Sequence, residues 1–230
     1  MKILAIETST DIGSVALLDD MTVLAERSMR APMKLLSWLS PAIAEVLKES
    51  GHKLSQVNLI ATGIGPGSFT GTRLELATAK TLSQVAKIPL IGVSSLDALA
   101  FATLPYRGMI LSCIDAKRNE LFAGIYASDG STITQQGDYL CQTKESIVEE
   151  ASRYKGPWTI VGESNPYESY LLQQLKDATR ADESAGIVKA SSIGKLAYLR
   201  KNSSSGDLYA VEPLYIRASQ AELERAKRKA

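Results

Sequence analysis

Ile3-Leu4-Ala5-Ile6-Glu7 is an apolar run closed by an acid, and Leu111-Ser112-Cys113-Ile114-Asp115 has the same shape. A short apolar run bounded by turn residues reads as a buried strand. The two runs also continue alike. Polar residues 8–12, rich in Thr, Ser and Asp, separate the first strand from a second at 13–18. Polar residues 116–120 separate its counterpart from a strand at 121–126. Asp19-Asp20 and Asp129-Gly130 then turn the chain into third strands at 22–26 and 131–135. Two such meanders point to two related halves. Chance likeness over so short a stretch is the alternative.

Outward from the first meander, the pattern predicts a helix over 33–49 and a strand over 58–63. A glycine-rich stretch then leads into a helix reaching residue 86. A strand at 89–93 and a helix at 94–102 come next, the helix capped by Ser94 or Ser95. After the second meander come helices at 144–154, 167–177 and 191–201, a strand at 158–161 and a polar loop at 202–207. Strands alternating with helices predict a mixed α/β protein. The expected division is an N-terminal half, 1–104, and a smaller C-terminal half, 105–230.

The 230 residues are 45% hydrophobic and 22% charged, enough for a real core. A net charge of +1 argues against autonomous nucleic-acid binding. Arg225, Lys227, Arg228 and Lys229 read as a solvated helix end. No apolar run suits a signal peptide or a membrane span, so a cytoplasmic address is expected. Cys113 and Cys141 make neither a disulfide framework nor a CxxC unit. His52, the single histidine, stands in a polar turn, so a two-histidine metal site cannot be built from this chain. No GxSxG elbow is present to serve a serine nucleophile.

Three groups of residues carry candidate chemistry. Gly65-Pro66-Gly67-Ser68-Phe69-Thr70-Gly71 lies between a strand and a helix, where free N–H groups and the helix dipole favour an anion. It lacks the Lys-Ser/Thr of a Walker A loop. A tight turn with Ser68 or Thr70 as helix cap is the competing reading, ahead on physical grounds alone. Glu7 and Asp115 end the two opening strands and are candidates for facing a nucleotide phosphate and its magnesium. Neither of the turns after them contains glycine, which favours acids that cap a neighbouring turn. The helix over 33–49 is apolar over nearly half its circumference. Leu35, Leu39, Ala42 and Val46 form one stripe, flanked by Leu36, Ile43 and Leu47 on one side and by Trp38 on the other. The next helix is small or apolar almost all round, through Leu74, Leu76, Ala77, Ala79, Leu82, Val85 and Ala86. Two buried helices fit this pattern. So does a pair packing inward on a sheet and outward on another protein.

Gly65-Pro66-Gly67-Ser68-Phe69-Thr70-Gly71-Thr72-Arg73 resembles the hallmark loop of the TsaB (YeaZ) family. Ile3-Leu4-Ala5-Ile6-Glu7-Thr8-Ser9-Thr10 is similar to the family's first strand and turn, and Ile91-Gly92-Val93-Ser94-Ser95-Leu96 to its later strand and helix start. Ile114-Asp115-Ala116-Lys117-Arg118-Asn119-Glu120-Leu121-Phe122 resembles its second hairpin, and Pro213-Leu214-Tyr215-Ile216-Arg217 its closing segment. The matches run in family order over nearly the whole chain.

The resemblance implies an actin/Hsp70/sugar-kinase-like (ASKHA) fold, α/β, with two related halves that each open with a strand meander. It implies a non-catalytic subunit of the machinery that places threonylcarbamoyl on the tRNA adenosine next to the anticodon. The implied partners are the catalytic paralogue TsaD, the small ATPase TsaE and a second copy in a homodimer, with tRNA reached indirectly through the complex. No catalytic residue, metal or cofactor is expected in the isolated chain, and ATP or ADP only at the level of the complex. TsaD-type proteins carry a metal-binding histidine pair, whereas this chain has one histidine. Ile160-Val161-Gly162-Glu163 has a single glycine where active relatives have two. The implied partner-facing residues are Leu35, Leu36, Trp38, Leu39 and Ile43 of the first helix and Arg73, Leu76, Ala77 and Lys80 of the second. The chain departs from the family at Thr72, usually leucine, and at Leu74-Glu75, usually a branched apolar residue and glycine. It departs again at Pro32-Met33-Lys34-Leu35-Leu36-Ser37, where a histidine-containing motif is usual. An active ATP-dependent small-molecule kinase of the same fold is the alternative. A protease acting on the partner is opposed by the absent histidine pair and nucleophile elbow.

Overall fold

The computed structural model describes residues 1–30, 34–163, 167–204 and 206–217. Pro32, Met33 and the basic tail lie outside the described residues. The first meander is β1 (Lys2–Glu7), β2 (Ile12–Asp19) and β3 (Thr22–Arg30). After helix α1 (Leu35–Glu49) come β4 (Leu59–Gly63), α2 (Phe69–Ala86), β5 (Leu90–Val93) and α3 (Ser95–Ala102). The second meander is β6 (Arg107–Lys117), β7 (Glu120–Asp129) and β8 (Ile133–Gln135). After it come β9 (Leu140–Gln142), α4 (Lys144–Ala151), β10 (Trp158–Gly162), α5 (Glu168–Gln174), β11 (Ala178–Arg180) and α6 (Ala190–Arg200).

The strands form two sheets, ordered β3-β2-β1-β4-β5 and β8-β7-β6-β10-β11, with β9 also on β7. Position by position the orders match, β6 standing where β1 stands and β10 where β4 stands. The pairing directions match too. β1 is antiparallel to β2 and parallel to β4, and β6 is antiparallel to β7 and parallel to β10. The turns that close the meanders need left-handed backbone, supplied by Asp20 at φ 51° and Gly130 at φ 90°. Periodicity does not reveal β9 and β11, because three residues are too few to display a period.

β1, β2 and β4 are buried almost throughout, since helices cover both faces of the first sheet. On one face Leu4, Ile6, Val15 and Leu17 meet Leu39, Val46 and Ala79 of α1 and α2. On the other, Ile3, Ala5 and Leu18 join Leu99, Ile110, Tyr126 and Ile193 in a core shared by the two halves. A third cluster lies under the second sheet against α4 and α5. Each fully buried Leu or Ile side chain contributes about 1.5–3 kcal/mol relative to exposure.

The first sheet lies wholly within 1–104 and the second within 105–230, but α6 crosses that division. It packs on the first sheet, and Gly194 permits the approach: a Cβ there would stand 2.6 Å from Leu18 Cδ1 and 3.2 Å from Ala5 Cβ. The first sheet also caps the helix. Glu26 accepts the backbone N–H and hydroxyl of Ser191 at 2.9 and 3.0 Å, and Ser14 Oγ accepts the N–H of Ala190 at 3.1 Å.

Candidate functional site

The glycine loop is a turn clamped onto the segment after β1. Ser68 caps α2, its Oγ accepting the Gly71 N–H at 3.3 Å, while its own N–H donates to the Ser9 carbonyl at 2.6 Å. The Thr8 hydroxyl donates to the Gly71 carbonyl at 2.8 Å. A Cβ on Gly67 would overlap the Ser9 carbonyl oxygen, and one on Gly71 the carbonyl oxygen of Thr8. Gly65 instead needs its φ of +83°. Its carbonyl accepts the Ser95 N–H at 2.9 Å, which ties the loop to the start of α3. Ser94, not Ser95, caps that helix, accepting the Leu96 N–H at 3.2 Å.

Beneath this clamp lie two carboxyls. Glu7 is fully buried, and its Oε1 accepts the N–H of Ser9 at 2.6 Å and also the Ser9 hydroxyl. The Ser9 hydroxyl lies 2.9 Å from that of Ser95. Glu75, where the chain departs from the family on the second helix, is also fully buried, and its Oε2 accepts the Thr8 N–H at 2.5 Å. Burial pushes Glu7 up to about 7 against the opposing hydrogen bonds from Ser9 and Ser95. Burial and then the Glu7 charge hold Glu75 well above the usual carboxylate range, and the Thr8 N–H offsets part of this. The sequence marks Glu75 only as a departure. It sits in the buried stripe Thr72, Leu76, Ala79, Ser83 of α2, a helical spacing that marks it as inward-facing.

Asp115 lies elsewhere, lining a cavity of about 280 Å³ between the halves that Ser9, Gly67, Glu163 and Arg217 also border. It accepts the backbone N–H and the Nζ of Lys117, both at 2.8 Å. That hydrogen bond is the main cause raising the Lys117 ammonium. Lys117, Arg118 and Asn119 have φ of 61°, 58° and 62°, an all-left-handed turn of non-glycine residues. Among the described residues Glu7 and Asp115 share no partner, and each accepts the backbone N–H two residues on.

The expected partner-facing residues divide by exposure. Leu35, Leu39, Ile43 and Leu76 are buried in the chain's own core. Leu36 is 76% exposed, Arg73 and Ala77 are exposed, and Trp38 and Lys80 are half-buried. Trp38 packs over Gly13, where a Cβ would stand 2.7 Å from its ring. Phe69, 54% exposed, carries the Arg73 guanidinium 3.7 Å from its ring centroid and stacks on Tyr215, whose hydroxyl accepts from Arg73 Nε at 3.2 Å.

A buried network at Asp97 leaves no trace in the sequence pattern. Tyr126 and Tyr139 donate to its Oδ1 at 2.8 and 2.7 Å, and Arg200 to its Oδ2 at 2.7 Å. Its members come from α3, β7, the segment after β8 and α6, so spacing along the chain gives no sign of it.

The doubled meander and the cleft between its halves define an actin/Hsp70/sugar-kinase-like protein. The ROK hexokinase of Thermus thermophilus shares that fold, with a TM-score of 0.55 at 11% identity over 88% of this chain and all of that one. A family model described as "TsaD: tRNA N6-adenosine threonylcarbamoyltransferase" matches residues 30–225. The "tRNA threonylcarbamoyladenosine biosynthesis protein TsaB" of Escherichia coli (strain K12) is 36% identical over 165 residues, 70% of this chain and 71% of that protein. The solved "YeaZ from Pseudomonas aeruginosa" superposes with a TM-score of 0.82 at 26% identity, covering 94% of this chain and 99% of that one. The chain belongs to the TsaB (YeaZ) family.

Proposed function

We propose that this chain serves threonylcarbamoylation of tRNA adenosine as a non-catalytic subunit that binds and supports a TsaD-type catalytic paralogue in the cytoplasm. One observation carries the non-catalytic part: four donors at the turn after β1 and the start of α2 that could otherwise hold a phosphate are already engaged. The Thr8 N–H goes to Glu75, that of Ser9 to Glu7, that of Ser68 to the Ser9 carbonyl and that of Gly71 to the Ser68 hydroxyl. The buried Glu7 carboxyl, once ionised, also gives this spot the wrong sign for an anion. Family membership supports the pathway, and the exposed Leu36, Arg73 and Ala77 of α1 and α2 support a surface for the paralogue or for a second copy. The small ATPase TsaE would act on that complex, and ATP or ADP would bind only there.

Reconstitution tests the reading. A TsaD-type protein, TsaE, the threonylcarbamoyl-AMP synthase and tRNA should yield modified adenosine only when this chain is added, and the chain alone should turn over no ATP. Equal modification without it would defeat the proposal. Sustained ATP turnover by the purified chain, lost in Asp115→Ala, would favour an ATP-dependent kinase of the same fold.

A further inference from the structure

Glu7 and Glu75 approach the same point beside Gly63. A Cβ on Gly63 would overlap Oε2 of Glu7 and stand 2.9 Å from both carboxyl oxygens of Glu75. Oε2 of Glu75 accepts the Thr8 N–H, but its Oε1, equally buried, has no partner among the described residues. On Glu7, Ser9 engages Oε1, and Oε2 has only a 3.5 Å approach from the Ser95 hydroxyl. Each element around the pair contributes a neutral group: Thr8 and Ser9 from the turn, Gly63 from β4, Gly71 from α2 and Ser95 from α3. Among the described residues no Lys, Arg or His is paired with either carboxyl. Two ionised carboxylates here would repel in a dry site and leave an acceptor without a donor. A proton on Glu75 Oε1 removes both faults.

We propose that Glu75 is a neutral carboxylic acid whose Oε1–H is donated to Oε2 of Glu7, the shared proton making a pH-sensitive clamp between the turn after β1 and helix α2. With the proton in place, Glu75 holds the Thr8 N–H while the Thr8 hydroxyl holds the Gly71 carbonyl, so the start of α2 is seated on the turn. Loss of the proton sets two negative charges against each other beneath that seat. Both carboxyls are raised above the ordinary glutamate value of 4.5. The folded chain therefore holds protons that the unfolded chain has released. The stability that the two protonated carboxyls lend the fold is complete below about pH 4.5. It declines as pH rises through about 7, where Glu7 titrates, and through the higher range where Glu75 does.

Urea unfolding of the wild-type chain and of Glu75→Gln, from pH 5 to pH 9, tests the clamp. The glutamine amide supplies the same donor at every pH. The wild-type folding constant should fall with rising pH by up to about tenfold per pH unit for each proton held. Glu75→Gln should be flatter by one proton and should exceed the wild type in stability at pH 8. Should Glu75→Gln not fold, wild-type chain labelled with carbon-13 at the glutamate carboxyls decides the matter. One carboxyl carbon should keep the shift of a protonated acid at pH 7. Parallel pH slopes for the two proteins would overturn the proposal, as would finding every glutamate ionised at pH 7. A wild-type stability at pH 8 that rises with sodium or potassium at fixed ionic strength would also overturn it, by putting a cation in the proton's place.

Discussion

Gly67 and Gly71 are glycines for want of space, whereas Gly65 is one for its backbone conformation. Neither Gly67 nor Gly71 has a positive φ. What excludes a side chain is the carbonyl of Ser9 over one and of Thr8 over the other. Gly67→Ala should therefore cost about 2–3 kcal/mol as the turn is forced off its seat. Gly186→Ala is the control, since its Cβ would meet only an ordinary contact at 3.4 Å, and should stay within about 0.5 kcal/mol. Urea midpoints of the two variants check this difference. The glycines themselves are legible in the sequence. The carbonyls that crowd them are not, because they lie on a segment far back along the first half.

Helix α1 has one clear inward face, and one of its large apolar residues points plainly away. Leu35, Leu39, Ala42, Ile43 and Val46 are buried, while Leu36 is not. As part of the proposed partner surface, Leu36→Glu should leave monomer stability within about 0.5 kcal/mol. It should also weaken association with the paralogue or a second copy, read by titration or sedimentation. Trp38 is a mixed case. Its ring covers Gly13 of β2, so Trp38→Ala should cost about 2 kcal/mol of folding stability, less than the ~3–5 kcal/mol of a core tryptophan. Any loss of affinity in that variant is separable only among folded molecules. The apolar arc is visible in the sequence because 3.6-residue periodicity is local. Which edge of the arc meets the sheet depends on how the helix is rotated against β2 and β3.

The halves are joined at molecular scale by Asp97. Tyr126 comes from β7, Tyr139 from the segment after β8 and Arg200 from the returning helix α6, and all three converge on one carboxylate that is 5% exposed. Burial and the Asp97 charge keep the Tyr126 and Tyr139 hydroxyls protonated well beyond the usual tyrosine range, as donors must be. Asp97→Ala would leave those hydroxyls and the guanidinium without their acceptor. Breaking a buried charged pair costs about 3–5 kcal/mol, and the exposure of Arg200 puts the expected loss near 3 kcal/mol. Tyr139→Phe should cost about 1 kcal/mol. With the shared core and the returning helix, the network should also make the chain unfold in one transition. Fluorescence of Trp38 in the first half and Trp158 in the second, each read in a variant lacking the other, should give coincident curves.

By itself the sequence determined the doubled meander, the alternation of strand and helix and the cap-and-glycine loop, because each rests on a few adjacent residues with a period, a turn or a cap. Set beside the family that it resembles, it also marked Glu75 as out of place. Only the tertiary structure decided what Glu75 does, since its hydrogen-bond partner Thr8 is 67 residues distant. The same holds for the Asp97 network and for the return of α6 to the first sheet, which join residues up to 176 positions apart. Burial raises a carboxyl's affinity for its proton, and burial belongs to the packed whole: no stretch of chain carries it before the elements close around the site.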